Sequence, residues 1–413
     1  LIDPNEMIDT GAEEGMSNPG ARVYGIITAV FFTVSIAYAV RYGYGMLLPG
    51  MLADLQITKT EAGVISATYF AAYTISSPIV GLLSDRANPR LIVTLFTFLL
   101  AVGTILMGFV SSVVQASLVF GLVGIGHAAC WAPVVSLVQQ WVSDEYRGTA
   151  LAVATTGSGI GIAAWSMWLP MVVESSSSRT GWIQMGLFGL FVAVLNFILI
   201  RKAPSILSPS EVKAEHHIRE LWSSYRSLLG SKPLWIVGIS YSFVGFAVLV
   251  PFTFLNVYAT QELQMDYRAA TRFFTVLAVA GIVGKFILGT LSDRWGRIPV
   301  MAICGILLGT GCLLIIVLPG FSGKMVGIIM VGLGFDAVWP VYAAAAVDFF
   351  PRSQAGSVIG LWTVFLGVGS ILSPVVCGWS IDITSSYTPA FLLGFLSGLL
   401  AVLVLISLRT VKR

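Results

Sequence analysis

Four ionisable side chains stand inside stretches that are otherwise apolar: Arg41, His127, Lys285 and Asp336. Their chemistry is that of binding an anion and moving a proton. Arg41, in Ala39-Val40-Arg41-Tyr42-Gly43-Tyr44, carries a planar, permanently charged fork that suits a carboxylate bidentately, and Tyr42 and Tyr44 add hydroxyl donors. Lys285, in Gly284-Lys285-Phe286, is a second cation, a point charge rather than a fork. Asp336, in Gly334-Phe335-Asp336-Ala337, can carry a proton if it ionises in one state only, and His127 can do so because imidazole titrates near neutrality. Structural readings compete with these. Arg41 could snorkel to the outer interface, since its apolar run continues only to about Leu52. His127 could be a hydrogen-bonded core residue.

The elements that hold these residues follow from composition. The chain of 413 residues is 56% hydrophobic and 10% charged, with a mean hydropathy of +0.88. Soluble domains carry about a quarter charged residues. The composition implies an all-α integral membrane protein, because continuous apolar runs, rather than alternating ones, read as spanning helices. Twelve runs are long enough: 23–52, 61–83, 91–111, 114–141, 148–173 and 183–200, then 233–259, 268–291, 299–318, 324–349, 355–379 and 387–408. Two six-helix bundles, 23–200 and 233–408, are therefore expected, preceded by a disordered N-terminus over 1–22. They are joined by a polar linker over 201–232, whose residues 211–229 have the spacing of a helix lying on the membrane surface. A short tail, 409–413, follows. Arg86, Arg90, Arg147, Arg294, Arg297 and Arg352 fall in one set of loops with the linker and tail; the opposite loops hold few cations. Positive charge stays inside, so both termini are expected in the cytoplasm and the location is the cell (inner) membrane.

The chain also repeats itself. Gly81-Leu82-Leu83-Ser84-Asp85-Arg86 returns as Gly289-Thr290-Leu291-Ser292-Asp293-Arg294, and Trp131 and Gly148 return as Trp339 and Gly356, all at an offset of 208. One shared offset implies an ancient duplication, and a unit this long is not a solenoid repeat. The first loop continues to Arg90 and the second to Arg297, and both sit between consecutive spans near the cytoplasm. Glycine there allows close helix approach, and the aspartate can pair with arginine or accept from a helix N-terminus. Gly81, Asp85, Arg86 and Arg90, with Gly289, Asp293, Arg294 and Arg297, are the candidate gating residues. Trp131 and Trp339, matched by the duplication, are candidates for lining a substrate site. Of the many aromatic residues in the spans, Tyr69, Tyr73, Trp165 and Trp168 among them, most are expected to be packing or interface belt. Gly157-Ser158-Gly159-Ile160-Gly161 lies inside a span, where close helix packing explains it better than a phosphate loop.

The doubled loop on a twelve-span chain, with a long central linker and Tyr146-Arg147-Gly148 after the fourth span, resembles the major facilitator superfamily, most closely its bacterial organic-anion members of the monocarboxylate or oxalate/formate type. The first loop departs from the pattern, with Asn88-Pro89 where the family often has Gly-Arg. The resemblance implies that Lys285 stands where anion carriers often have a cation, usually arginine. It also implies that the eighth and tenth spans lie close, so that a structural Lys285–Asp336 ion pair competes with a substrate role.

These readings combine into a secondary transporter of a small organic anion, with Arg41 and Lys285 contacting substrate and Asp336 or His127 carrying a coupled proton. An anion exchanger of the same fold, a drug or neutral-solute carrier, and a non-transporting sensor are the alternatives. No enzyme activity, cofactor or metal site is expected. Cys130, Cys304, Cys312 and Cys377 all lie in apolar runs without ligand spacing. The net charge of +3 gives no reason to expect nucleic acid. The expected partners are the anion, protons and membrane lipid, with the chain a monomer.

Overall fold

The computed structural model describes residues 19–84, 88–143, 146–201, 228–351 and 354–410. The N-terminal stretch 1–18, the linker over 202–227, most of the surface helix expected there, Asp85, Arg86, Arg352 and residues 411–413 lie outside them. The helices are α1 (Pro19–Leu55), α2 (Lys59–Ser84), α3 (Pro89–Met107), α4 (Val113–His127), α5 (Ala132–Trp141), α6 (Arg147–Ser175) and α7 (Ser178–Leu199). They continue with α8 (Lys232–Val257), α9 (Tyr267–Trp295), α10 (Arg297–Val317), α11 (Gly320–Phe349), α12 (Ala355–Thr384) and α13 (Thr388–Ile406). Among the described residues, twelve stretches are long and apolar enough to cross a bilayer, α4 and α5 together making one. In hydrocarbon every backbone polar group must find its partner within the segment, and a helix does that.

Polar caps set the ends. Ser177 accepts from the Thr180 amide and Asp266 from that of Ala269. The sixth span thus starts at Ser178, five residues before the apolar run that announces it in sequence. The fourth span is not the single helix expected over 114–141. Pro133 has no amide proton to give the carbonyl one turn back, so the ladder stops. Ala128–Cys130 tighten into a 3-10 turn, Trp131 leaves helical geometry at φ −121°, ψ −76°, and α5 restarts at Ala132.

The chain forms two compact units, Leu1–Leu47 with Thr68–Pro209, and Leu48–Ala67 with Ser210–Arg413. In the first, the side-chain amide of Asn196 on α7 donates to Thr33 on α1 (2.7 Å) and Thr97 on α3 (3.2 Å), a fully buried polar tie. Gly157 and Gly161 on α6 press against the Phe31 and Ser35 carbonyls, the close packing expected of that glycine run. In the second, Ser240 on α8 donates to the Ala401 carbonyl (3.0 Å) and meets the Tyr342 hydroxyl (2.9 Å), while Ser373 on α12 donates to the Phe246 carbonyl (2.8 Å).

Candidate functional site

Arg41 lies in the middle of α1, only 5% exposed. Its guanidinium carbon sits 4.7 Å from the ring centroids of Phe70 and Tyr73 and 5.8 Å from those of Tyr38, Tyr42 and Tyr69. Helical spacing explains the set. Tyr38 and Tyr42 flank the arginine on α1, and Tyr69, Phe70 and Tyr73 fall within about one turn of α2. Among the described residues no carboxylate pairs with Arg41, and its buried Nε meets no acceptor. A desolvated cation–π contact is worth up to about 2 kcal/mol, and an arginine at a helix centre costs roughly 2.5–3.5 kcal/mol to insert. Two or three good rings are therefore enough to hold this charge without a counter-ion.

His127 closes the same cluster. Its Nδ1 is 2.7 Å from the Tyr69 hydroxyl, and its ring packs edge-on against Tyr38 (5.3 Å) and Tyr73 (5.3 Å). Two local features bring it there. Gly124 lets α4 press against the Tyr69 carbonyl, where any side chain would collide. The 3-10 turn after His127 then ends the helix at that residue.

In the second unit, Lys285 on α9 and Asp336 on α11 form a 2.7 Å ion pair, with side chains 13% and 2% exposed. Gly284 makes the approach possible, since a methyl group there would strike the Leu333 carbonyl. Beside the pair, Phe335 packs on Phe252 (4.5 Å), and Trp339 meets Phe335 (6.3 Å) and Tyr241 (6.1 Å). Tyr241 stacks on Tyr342 at 4.2 Å. The buried Trp339 Nε1 has no acceptor among the described residues.

Of the residues singled out in sequence, Arg41, Tyr42 and His127 come together, and Lys285, Asp336 and Trp339 come together. Tyr44 does not join Arg41's rings. It is 2% exposed, stacked on Phe120 (4.9 Å) and tilted against Trp182 (6.5 Å), so it belongs to the core of the first unit. Trp131 is half-buried and stands immediately before α5, where its side chain makes no capping hydrogen bond. Tyr38, Phe70 and the role of Tyr69 and Tyr73 escape sequence reasoning, although the spacing of Tyr38 and Tyr42 about Arg41 and of Tyr69 and Tyr73 on α2 is a readable signal.

Of the gating loops, the second is described throughout. Arg297 Nη1 holds Asp293 (2.6 Å) and Ser292 (2.5 Å), with Asp348 4.0 Å from its Nε, while Arg294 is exposed. In the first, Asn88 accepts from the Arg90 amide and Pro89 occupies the first turn, so the departing Asn-Pro pair is a helix start for α3. Arg90 lies 3.9 Å over the Phe197 ring. Gly81 and Gly289 are half-buried, and among the described residues a methyl group at either would meet nothing within 4 Å.

Among the described residues, twelve helical stretches are long and apolar enough to cross a bilayer, and each unit buries ionisable side chains, which defines the class as a multi-pass membrane protein. The profile of the Major Facilitator Superfamily matches residues 30–329 and 258–413, and the chain belongs to that superfamily. It is 24% identical over 383 residues to the gentisate transporter of Corynebacterium glutamicum, covering 89% of this chain and 84% of that one. It is 25% identical over 418 residues to the glycerol-3-phosphate transporter of Bacillus subtilis, covering 93% of each. The crystal structure of a mutant form of the nucleoside transporter NupG superposes with a TM-score of 0.77 over 92% of this chain and 99% of that one, at 12% identity, a likeness of fold. The chain is thus a secondary transporter and not an enzyme.

Proposed function

We propose that this transporter moves a small organic anion, a monocarboxylate, by alternating access, and that Arg41 receives the carboxylate. One observation carries the reading: Arg41 is a buried, permanent cation packed among aromatic rings, with no carboxylate paired to it among the described residues. An entering anion does not have to displace an internal carboxylate, and its fork-to-fork hydrogen bonds supply what the rings cannot. That relatives are named for gentisate and glycerol 3-phosphate supports an anionic cargo.

Coupling to a proton fits the second unit. Protonating Asp336 would release Lys285, and ionising it would restore the pair, so anion binding at Lys285 and the proton at Asp336 would be linked. His127 is placed differently. A neutral ring can accept from the Tyr69 hydroxyl at Nδ1 while it packs among the rings of Tyr38 and Tyr73. We therefore assign the proton to Asp336 and a positioning role to His127. The termini are assigned to the cytoplasmic face of the cell membrane from the loop charges.

The test is uptake into proteoliposomes of a radiolabelled panel running from acetate and lactate to benzoate and oxalate, with and without a proton gradient. Gradient-driven uptake of at least one carboxylate is expected. Arg41→Ala and Lys285→Ala that both transport at the parent rate would defeat the site assignment.

A further inference from the structure

Three arginines gather at one end of the first unit. Arg22 stands where the first span begins, Arg90 at the start of α3, and Arg201 just past the end of α7. In a chain that crosses back and forth, the starts of the first and third spans and the end of the sixth share one side of the membrane. Packing brings them closer than topology requires. The side-chain amide of Asn196 on α7 reaches Thr33 on α1 and Thr97 on α3, so both helices run beside α7. Nearer the end, α1 meets α7 at Gly25, where a methyl group would lie 3.6 Å from the Leu199 side chain. Arg22 is about one turn before Gly25, and Arg201 follows closely after Leu199. Arg90 reaches α7 from α3, its guanidinium carbon 3.9 Å from the centre of the Phe197 ring.

No acid offsets this charge. Among the described residues no carboxylate pairs with any of the three. The Phe197 ring steadies Arg90 but accepts none of its in-plane N–H bonds, and the buried Nε meets no acceptor. Arg22 and Arg90 also sit in the first turns of their helices, the end where the helix dipole disfavours a cation. Capping therefore does not account for either of them. Alongside, the outer faces of α3 and α7 are apolar and open: Leu91, Leu95, Val194 and Ile198 are each more than half exposed. On a spanning protein such a face meets acyl chains.

We propose that this corner binds an anionic phospholipid, with Arg22, Arg90 and Arg201 receiving its phosphate and its chains lying along α3 and α7. Arginine forks take phosphate oxygens in pairs, and cations that flank spanning helices recognise acidic lipid heads. Free phosphate shares the head chemistry but leaves the apolar face unused. The site is separate from the anion site, since Arg41 lies about 28 Å further along α1 at 1.5 Å per residue.

The test is native mass spectrometry of the full chain in a neutral detergent, titrated with phosphatidylglycerol, phosphatidylcholine or inorganic phosphate. Phosphatidylglycerol is expected to bind at least about tenfold more tightly than phosphatidylcholine of the same chains, which has no net charge. Arg22→Gln, Arg90→Gln and Arg201→Gln should each weaken it about fivefold, and the triple variant should bind both lipids alike. Arg90→Lys, which keeps the charge without the fork, should fall between Arg90→Gln and the parent. Arg272→Gln removes an exposed cation at the opposite end of the spans, on α9, and should change nothing. Equal binding of the two lipids by the parent, or an equal loss in Arg272→Gln, would overturn the site. Inorganic phosphate that binds as tightly as phosphatidylglycerol would overturn the lipid as its occupant. Thermal unfolding gives a second readout: phosphatidylglycerol should raise the midpoint of the parent and not that of the triple variant. Single variants that melt like the parent and keep its full affinity for phosphatidylglycerol would also overturn it.

Discussion

Arg41 and Lys285 are both cations buried in apolar helices, and the two units hold them by different means. Lys285 has a carboxylate at 2.7 Å, on a neighbouring helix that Gly284 allows to come close. Arg41 has five aromatic rings and no acidic partner among the described residues. An ion pair is closed chemistry, because each charge satisfies the other and an incoming anion must compete with Asp336. Rings leave the plane of the guanidinium fork to a ligand. The proposed function builds on that difference: a standing binding charge at Arg41 and a switchable one at Lys285.

The largest effects should separate the two regions by stability. Removing one partner of a buried pair strands the other charge, which costs roughly 3–5 kcal/mol. Lys285→Ala and Asp336→Ala should each lower thermal stability of the purified protein by about that much, and Lys285→Met with Asp336→Leu should recover most of the loss. Arg41→Met strands no charge and should cost no more than about 2 kcal/mol, the scale of its ring contacts. If Arg41→Met destabilises as much as Asp336→Ala, the contrast between the units is wrong.

Transport should show the reverse order. Arg41→Met removes charged hydrogen bonds worth roughly 1.5–3 kcal/mol each, so carboxylate uptake at low concentration should fall about a hundredfold. Arg41→Lys keeps the charge without the fork and should fall between. Lys285→Met paired with Asp336→Leu should lower anion uptake less than Arg41→Met does and should abolish its dependence on a proton gradient. Gradient-driven uptake in that double variant would remove Asp336 from the coupling.

Sequence carries some of this contrast and not the rest, for physical reasons. The twelve spans are legible because hydrocarbon demands long apolar helices whatever the tertiary fold. The Lys285–Asp336 pair is legible as an alternative once the family is recognised. The rings around Arg41 are harder to read, since Tyr69, Phe70 and Tyr73 come from another helix, and period alone does not say which face of α2 meets α1. Tyr44 misleads for the same reason: three residues from Arg41, it is turned into the Phe120–Trp182 core. The break after His127 has Pro133 as its written signal, yet an internal proline also occurs without a break in α2, α6, α8 and α12.

Smaller effects test whether the rings act on the charge or merely pack. Phe70→Leu and Tyr73→Leu each lose a contact worth about 0.5–2 kcal/mol if the cation is what they hold. In a double-mutant cycle with Arg41→Met, thermal unfolding should show coupling of that size for both, because contacting residues are not additive. Tyr241→Leu, in the aromatic cluster beside the Lys285–Asp336 pair, should show no coupling to Arg41. Equal, additive losses at all three positions would make the rings ordinary core.

The smallest expected effect is the most discriminating for His127. Tyr69→Phe deletes the hydroxyl that faces His127 Nδ1 and should cost about 1 kcal/mol of stability, the net worth of a typical hydrogen bond. If His127 only positions Tyr69, His127→Gln should lower uptake modestly and leave the pH profile of uptake where it was, because glutamine can still accept from the phenol. Asp336→Asn should flatten that profile. A profile that shifts in His127→Gln and persists in Asp336→Asn would move the proton from the closed pair of the second unit to the open cluster of the first. The division of labour between standing and switchable charge would then reverse.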